Sequence, residues 1–248
     1  MKLTKHEHAC VVLEKDGASI VIDPGSFSSG AAEIIAGADA ILITHEHADH
    51  VHEEAINAAL ADRPDLKLYA PEALRRVFDS RPDQFNAVIA GDELKLGSFD
   101  ITVHGAEHAL LHEAIPVIPN VGYLLDGEVY HPGDAYFVPD AAVTTLLLPT
   151  SGPWMKFGEA IDYVRAVQPQ QVVQIHEALL SDIGQHLAGA LLGENGPAGP
   201  TASTAPGWFR GRGRSGGGAT IRSGRPGRPR TARPPASTAT GAVSPPPR

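Results

Sequence analysis

Residues 1–194 of this 248-residue chain predict a mixed α/β domain, on three observations. Short apolar or alternating runs recur along them, bounded by turn residues. Two Asp-Gly pairs, Asp16-Gly17 and Asp126-Gly127, each stand between two such runs, which is the strongest short-range hairpin signal. Apolar residues at helical spacing fill the gaps between the later runs.

The strand runs are, in order, ACVVLEK, SIVID, AILIT, LKLYA, FDITVH, GYLLD, EVYH, TLLLP and QVVQIH. The first third of the chain favours hairpins. HVHEEAINAALAD sets Ile56 and Leu60 four apart with Ala59 beside them, and predicts a helix. GEAIDYVRAV carries Ile161, Val164 and Val167 on one face, and Pro169 ends it. HEALLSDIGQHLAGALL reads as a single last helix that stops at Gly193. No repeat of 20–50 residues is visible.

A hydrophobic content of 42% is enough for a sizeable core. The opening MKLTKHEHAC has no apolar signal-peptide core, and no run approaches the roughly 18 apolar residues that span a bilayer. Cys10 is the only cysteine, so no intramolecular disulfide can form. These features together predict a soluble, cytoplasmic protein with no membrane partner. The net charge of −9 conceals an asymmetry: no Asp or Glu follows Glu194, while nine of the 20 Lys and Arg lie beyond residue 200. Residues 1–194 therefore hold 29 acidic and 11 basic side chains, a balance of −18. Affinity for polyanions rests on Lys and Arg, so this body disfavours nucleic acid as a partner.

After Gly193 the composition turns to Gly, Pro, Ala, Arg, Ser and Thr, as in GWFRGRGRSGGG and RPGRPRTARPP. Such a segment buries too little apolar area to offset its ordering entropy, so 195–248 is expected to be a disordered basic tail. Out-of-frame translation of GC-rich coding sequence gives the same residue set, and resequencing the coding region separates the two readings. No function is drawn from the tail.

The chemistry concentrates in THEHADH, residues 44–50. AILIT is a wholly apolar strand that delivers the chain to this loop. Residues i and i+2 of an extended segment point the same way, so His45 and His47 can reach one divalent ion. Asp49 and His50 open the next helix and can turn toward a second. Further ligand types follow other strand runs: His108 after FDITVH, Asp134 after EVYH, and His176 at the end of QVVQIH. The carboxylate of Asp134 can bridge two ions. Imidazole and carboxylate together suit Zn²⁺ and similar ions, with Mn²⁺ and Fe²⁺ as alternatives.

THEHADH, EHA, HPGD and IH, in this order, resemble the metallo-β-lactamase fold superfamily. The surrounding IDPG, HALLHEAIPVIPNVGYLLDGEVYHPGDAYFVP and GPW are similar to the small metal-dependent hydrolases related to L-ascorbate-6-phosphate lactonase. The resemblance covers roughly residues 3–192. It implies a four-layer αββα sandwich with a two-metal site at one edge of the sheets. Carried over by position, His45, His47 and His108 resemble one metal site, Asp49, His50 and His176 the other, and Asp134 lies between them. No cysteine stands near Asp134, which argues against the cysteine-containing zinc site of some true β-lactamases. The chain is also too compact for the protruding arm of tRNA 3′-processing nucleases.

Among the neighbours, His131 is a candidate for contact with substrate or with a ligand, or simply a strand-end residue, and Asp49 is the candidate to orient the attacking water. Asp23 in IDPG is a candidate acceptor for a ligand histidine, or simply a turn residue before Pro24. His8 and His112 are weaker candidates, while His6, His52, His104 and His186 read as solvated or locally bonded. Trp154 can wall a pocket or fill the core. The expected activity is metal-dependent hydrolysis of a small-molecule lactone, ester or phosphodiester. The competing functions are a phosphodiesterase or nuclease on the same site, and a non-catalytic metal-binding protein, whose signature would be lost ligands.

Overall fold

Both Asp-Gly pairs turn the chain as expected. In the computed structural model Asp16, Gly17, Asp126 and Gly127 all take positive φ; Asp16-Gly17 is a two-residue loop between paired Lys15 and Ala18, and Asp126-Gly127 with Glu128 a three-residue loop between paired Leu125 and Val129. The structure describes residues 1–193 and 196–198, and the backbone of 203–204 and 219–222. Among these residues lie β1 (Lys2–Lys5), β2 (Val11–Lys15), β3 (Ala18–Ile22), β4 (Ala40–Leu42), β5 (Lys67–Ala70), β6 (Phe85–Ala87) and β7 (Glu93–Leu96). They are followed by β8 (Phe99–His104), β9 (Gly122–Leu125), β10 (Val129–His131), β11 (Thr145–Pro149), β12 (Gln171–Ile175), β13 (Ser203–Thr204) and β14 (Ala219–Arg222). The helices are α1 (Ala31–Ala36), α2 (Glu53–Asp62), α3 (Phe157–Val167) and α4 (Asp182–Leu192).

The strands form two mixed sheets, ordered β14-β1-β2-β3-β4-β5-β6 and β13-β12-β11-β10-β9-β8-β7. Each sheet buries one face against the other. Leu13, Ile20, Ile22 and Leu42 of the first sheet meet Phe99, Ile101, Tyr123, Leu125 and Leu147 of the second in one core. The Tyr123 hydroxyl donates across the layer to the Ile43 carbonyl at 2.8 Å. The outer face of the first sheet, with Val21, Ile41 and Leu68, packs on Ile35 of α1 and on Ile56 and Leu60 of α2. The outer face of the second, with Leu124, Leu146 and Val172, packs on Ala160 and Val164 of α3 and Leu192 of α4. The result is four layers, α, β, β, α, as the resemblance implies. Because the interior strands β4 and β11 are covered on both faces, Ala40–Leu42 and the Leu146–Leu148 stretch of β11 are continuously apolar rather than alternating.

Three features depart from the sequence reading. The strands β1, β6 and β7 and the helix α1 carry too weak a pattern to be seen in advance. HEALLSDIGQHLAGALL is not one helix: a 3₁₀ turn at Glu177–Leu179 ends, and Ser181 then caps α4 by accepting the Gly184 amide. A serine hydroxyl offers the backbone this local alternative to a continuous helix. Finally, two pieces of the segment after 195 lie on sheet edges, β13 beside β12 and β14 beside β1. The rest of the expected disordered tail lies outside the described residues. No helix among the described residues is long and apolar enough to cross a membrane.

Candidate metal centre

The predicted ligands converge at one edge of the sandwich. His45, His47, Asp49 and His50 follow β4, His108 follows β8, Asp134 follows β10, and His176 follows β12. Two groups result. The ligand atoms of His45, His47, His108 and Asp134 all lie within 4.8 Å of one another, and so do those of His8, Asp49, His50 and His176. Asp134 touches rings of both groups: Oδ1 is 3.2 Å from His50 Nε2, and Oδ2 is 3.5 Å from His108 Nε2 and 3.0 Å from His176 Nε2.

The rings of His45, His50 and His108 are each aimed by what Nδ1 touches. Asp23, fully buried, accepts from the Thr44 amide at 2.8 Å, the Thr44 hydroxyl at 2.7 Å and His50 Nδ1 at 2.7 Å. The Thr44 hydroxyl, having donated to Asp23, accepts from His45 Nδ1 at 3.0 Å. His108 Nδ1 donates to the Ala109 carbonyl at 2.7 Å. Every Nε2 so released points inward. Asp23→Asn is expected to lower metal affinity about 10–100-fold, the usual cost of losing a carboxylate behind a ligand histidine. A competition titration against a chelator measures it, and unchanged affinity would remove Asp23 from this role.

The inward atoms are the unusual ones. His50 Nε2, His108 Nε2, His176 Nε2 and Asp134 Oδ1 are buried without a hydrogen-bond partner, although each has an ionisable neighbour. An unsatisfied buried polar group costs about 1–3 kcal/mol, so four converging on one place call for a common partner. A divalent cation fits them, because it accepts lone pairs from imidazole and carboxylate alike. The sole thiol is no competitor: burial pushes Cys10 up to about 12, leaving it protonated.

Charge within the cluster is arranged by neighbours against burial. Burial opposes ionisation of Asp134, but the adjacent His50, His108 and His176 hold its carboxyl well below the usual range. Burial likewise opposes charge on His50, yet Asp134 and Asp23 raise it well above an ordinary histidine. His176 is pushed up to about 9 by Asp134 and Asp49, again against burial. For His45 burial wins, and it is held neutral, helped by His50.

Gly133 secures Asp134. It takes φ +65°, and a Cβ there would come 2.2 Å from Asn120 Oδ1, the atom that accepts the Asp134 amide at 3.0 Å. Gly133→Ala is therefore expected to destabilise the fold by about 1–3 kcal/mol through strain alone and to disturb Asp134 as well. Denaturant unfolding reads the first effect, and a midpoint equal to the parent's would show that the loop relaxes freely.

Two residues stand elsewhere than the sequence suggests. His131, expected to contact substrate or a ligand, is fully buried with both nitrogens occupied: Nε2 donates to the Ala9 carbonyl at 2.9 Å, and Nδ1 accepts the Gly133 amide at 3.1 Å. It pins the loop before Asp134 to the start of β2 and does not line the cavity over the site. His8, a weak candidate by sequence, joins the cluster. Its Nε2 donates to Asp49 Oδ2 at 2.9 Å, its ring lies 3.9 Å from that of His176, and its carbonyl accepts the His176 amide. His112 makes only a local bond to the Ala114 amide. Trp154 donates its indole N–H to Asp134 Oδ2 at 3.0 Å and walls the cavity.

A family model described as β-lactamase superfamily domain matches residues 2–176, which takes in all of these groups. The chain belongs to the β-lactamase superfamily. Protein Rv0786c of Mycobacterium tuberculosis is 41% identical over 187 residues, covering 73% of this chain and 86% of its own. A relative in Myxococcus xanthus named UPF0173 metal-dependent hydrolase is 31% identical over 198 residues, covering 68% of this chain and 67% of its own. Among solved structures, the metallo hydrolase Igni18 of Ignicoccus hospitalis superposes with a TM-score of 0.62 at 21% identity, covering 89% of this chain and 98% of that one, and shares the fold.

Proposed function

We propose that this superfamily member is a metal-dependent hydrolase that holds two divalent ions and uses them to set water against an ester, lactone or phosphodiester. The observation that carries the reading is the convergence of buried, unpartnered Nε2 and carboxylate atoms on two adjoining groups of ligand types. One ion would be held by His45, His47, His108 and Asp134, and the other by Asp49, His50 and His176, with Asp134 also facing the second. Zn²⁺ suits this set of nitrogen and oxygen donors, and Mn²⁺ or Fe²⁺ suit it as well. Such ions, when bound, acidify water and polarise a carbonyl or phosphoryl oxygen.

The side chains do the rest. Asp49 is the carboxylate of the second group that reaches the cavity, with its side chain 20% exposed. It is placed to accept the proton of the attacking water and pass it to the leaving group. Burial opposes its ionisation, but the adjacent His176 and the bond from His8 hold it far below the ordinary range, so it faces the substrate as an anion. His8 fixes the orientation of that carboxylate. No Ser or Cys nucleophile is needed. The test is hydrolysis of a panel of lactones, esters and phosphodiesters by protein of measured metal content. Turnover that follows metal content supports the reading, and equal turnover after chelation overturns it.

A further inference from the structure

The cavity over the site has walls of one kind. It measures about 300 Å³ and is floored by His47, Asp49, His108, Asp134 and His176. Phe27, Leu111, Ile115, Val117 and Leu179 rise around it, each 42–54% exposed, and the buried Trp154 closes one side. Large apolar side chains this exposed are ordinary when scattered, but here five share one concave opening above the ligand groups. No Lys or Arg is among the described residues that line it. The carboxylates of the floor are engaged with histidines, and the indole N–H of Trp154 is taken by Asp134. The walls thus offer a substrate apolar area, and neither a cation nor a free donor for an anionic group.

From this, and resting on the hydrolase reading above, we infer that the substrate is a neutral carboxylic ester, open or cyclic, whose alkyl substituent lies against these walls. Among the described lining residues a phosphate-bearing substrate would find no Lys or Arg, so charge not taken up by the ions would lie against apolar side chains, which is costly. An alkyl substituent instead removes both surfaces from water. Each methylene taken into such a wall strengthens binding about fourfold. Attack by water on the carbonyl carbon breaks the acyl–oxygen bond. The oxygen from water stays on the acid, and the alkoxide leaves with a proton.

The experiment uses the full-length, metal-loaded protein with γ-alkyl-γ-lactones whose tails lengthen from none to six carbons. The matching lactams serve as slowly hydrolysed binding probes, and bis(p-nitrophenyl) phosphate as the anionic arm. Lactam affinity should climb about fourfold per methylene over the first few carbons, with lactone kcat/KM following it. Leu111→Ala combined with Leu179→Ala, both at exposed positions, should flatten the climb. Lactam affinity that ignores tail length overturns the inference whether or not anything is hydrolysed. Faster turnover of the phosphodiester than of the best lactone also overturns it, while leaving the hydrolase reading in place. Rising lactam affinity with no hydrolysis of any lactone or of the phosphodiester supports the apolar occupant and defeats the hydrolase reading beneath it.

Discussion

Asp134→Asn is expected to strip metal from the protein and to remove more than about 100-fold of its turnover. Loss of a group behind a ligand already costs about 10–100-fold, and Asp134 is proposed as a ligand itself. Its two oxygens lie 3.0–3.5 Å from Nε2 of His50, His108 and His176. It is the carboxylate that faces both groups, so its charge would offset the repulsion between two bound cations. The amide has nearly the same shape, the Trp154 indole can still donate to its oxygen, and the backbone stays held by Asn120. A packing defect is therefore a poor explanation of any loss. Bound metal and turnover measured together decide it: a variant that keeps full metal and parental activity would remove Asp134 from the centre.

Asp49→Asn should fail in a different way. This residue sits at the cavity floor, tied to His8 at 2.9 Å and facing His176 at 3.2 Å. Neutralising it should depress turnover by about 10²-fold or more, the scale of a general acid–base contribution. The ion of the His45, His47, His108 and Asp134 group should remain, because Asp49 contributes no atom to it. The pair of variants thus separates holding metal from using it. Parental activity with full metal in Asp49→Asn would show that the proton goes elsewhere.

What could be read in the sequence was local. The group from His45 to His50 announces itself because its residues share one loop after an apolar strand. His108, Asp134 and His176 each follow a strong strand signal, and strand ends on one side of a sheet gather in space. His8 carried no such signal: it precedes β2, and its partner Asp49 is 41 residues away. His131 is open between substrate contact and a strand-end role for the converse reason, and it stands at the end of β10. Three residues before Asp134 it looks poised for chemistry, but its decisive contact is the Ala9 carbonyl, 122 residues distant. Asp23 was open between turn and acceptor, and it is both: it takes a left-handed φ of 49° in the turn and receives three donors. The apolar cavity was unreadable, since Phe27, the 111–117 segment and Leu179 meet only in the fold.

The central claim is that two ions share this edge of the sandwich, and metal stoichiometry tests it most directly. Purified protein is stripped with a chelator, reconstituted with excess Zn²⁺ or Mn²⁺, freed of unbound metal and assayed by elemental analysis. Two ions per chain are expected, because the seven proposed ligands exceed the four that a single tetrahedral zinc takes. A stoichiometry that stays at one, or at none, would contradict the account.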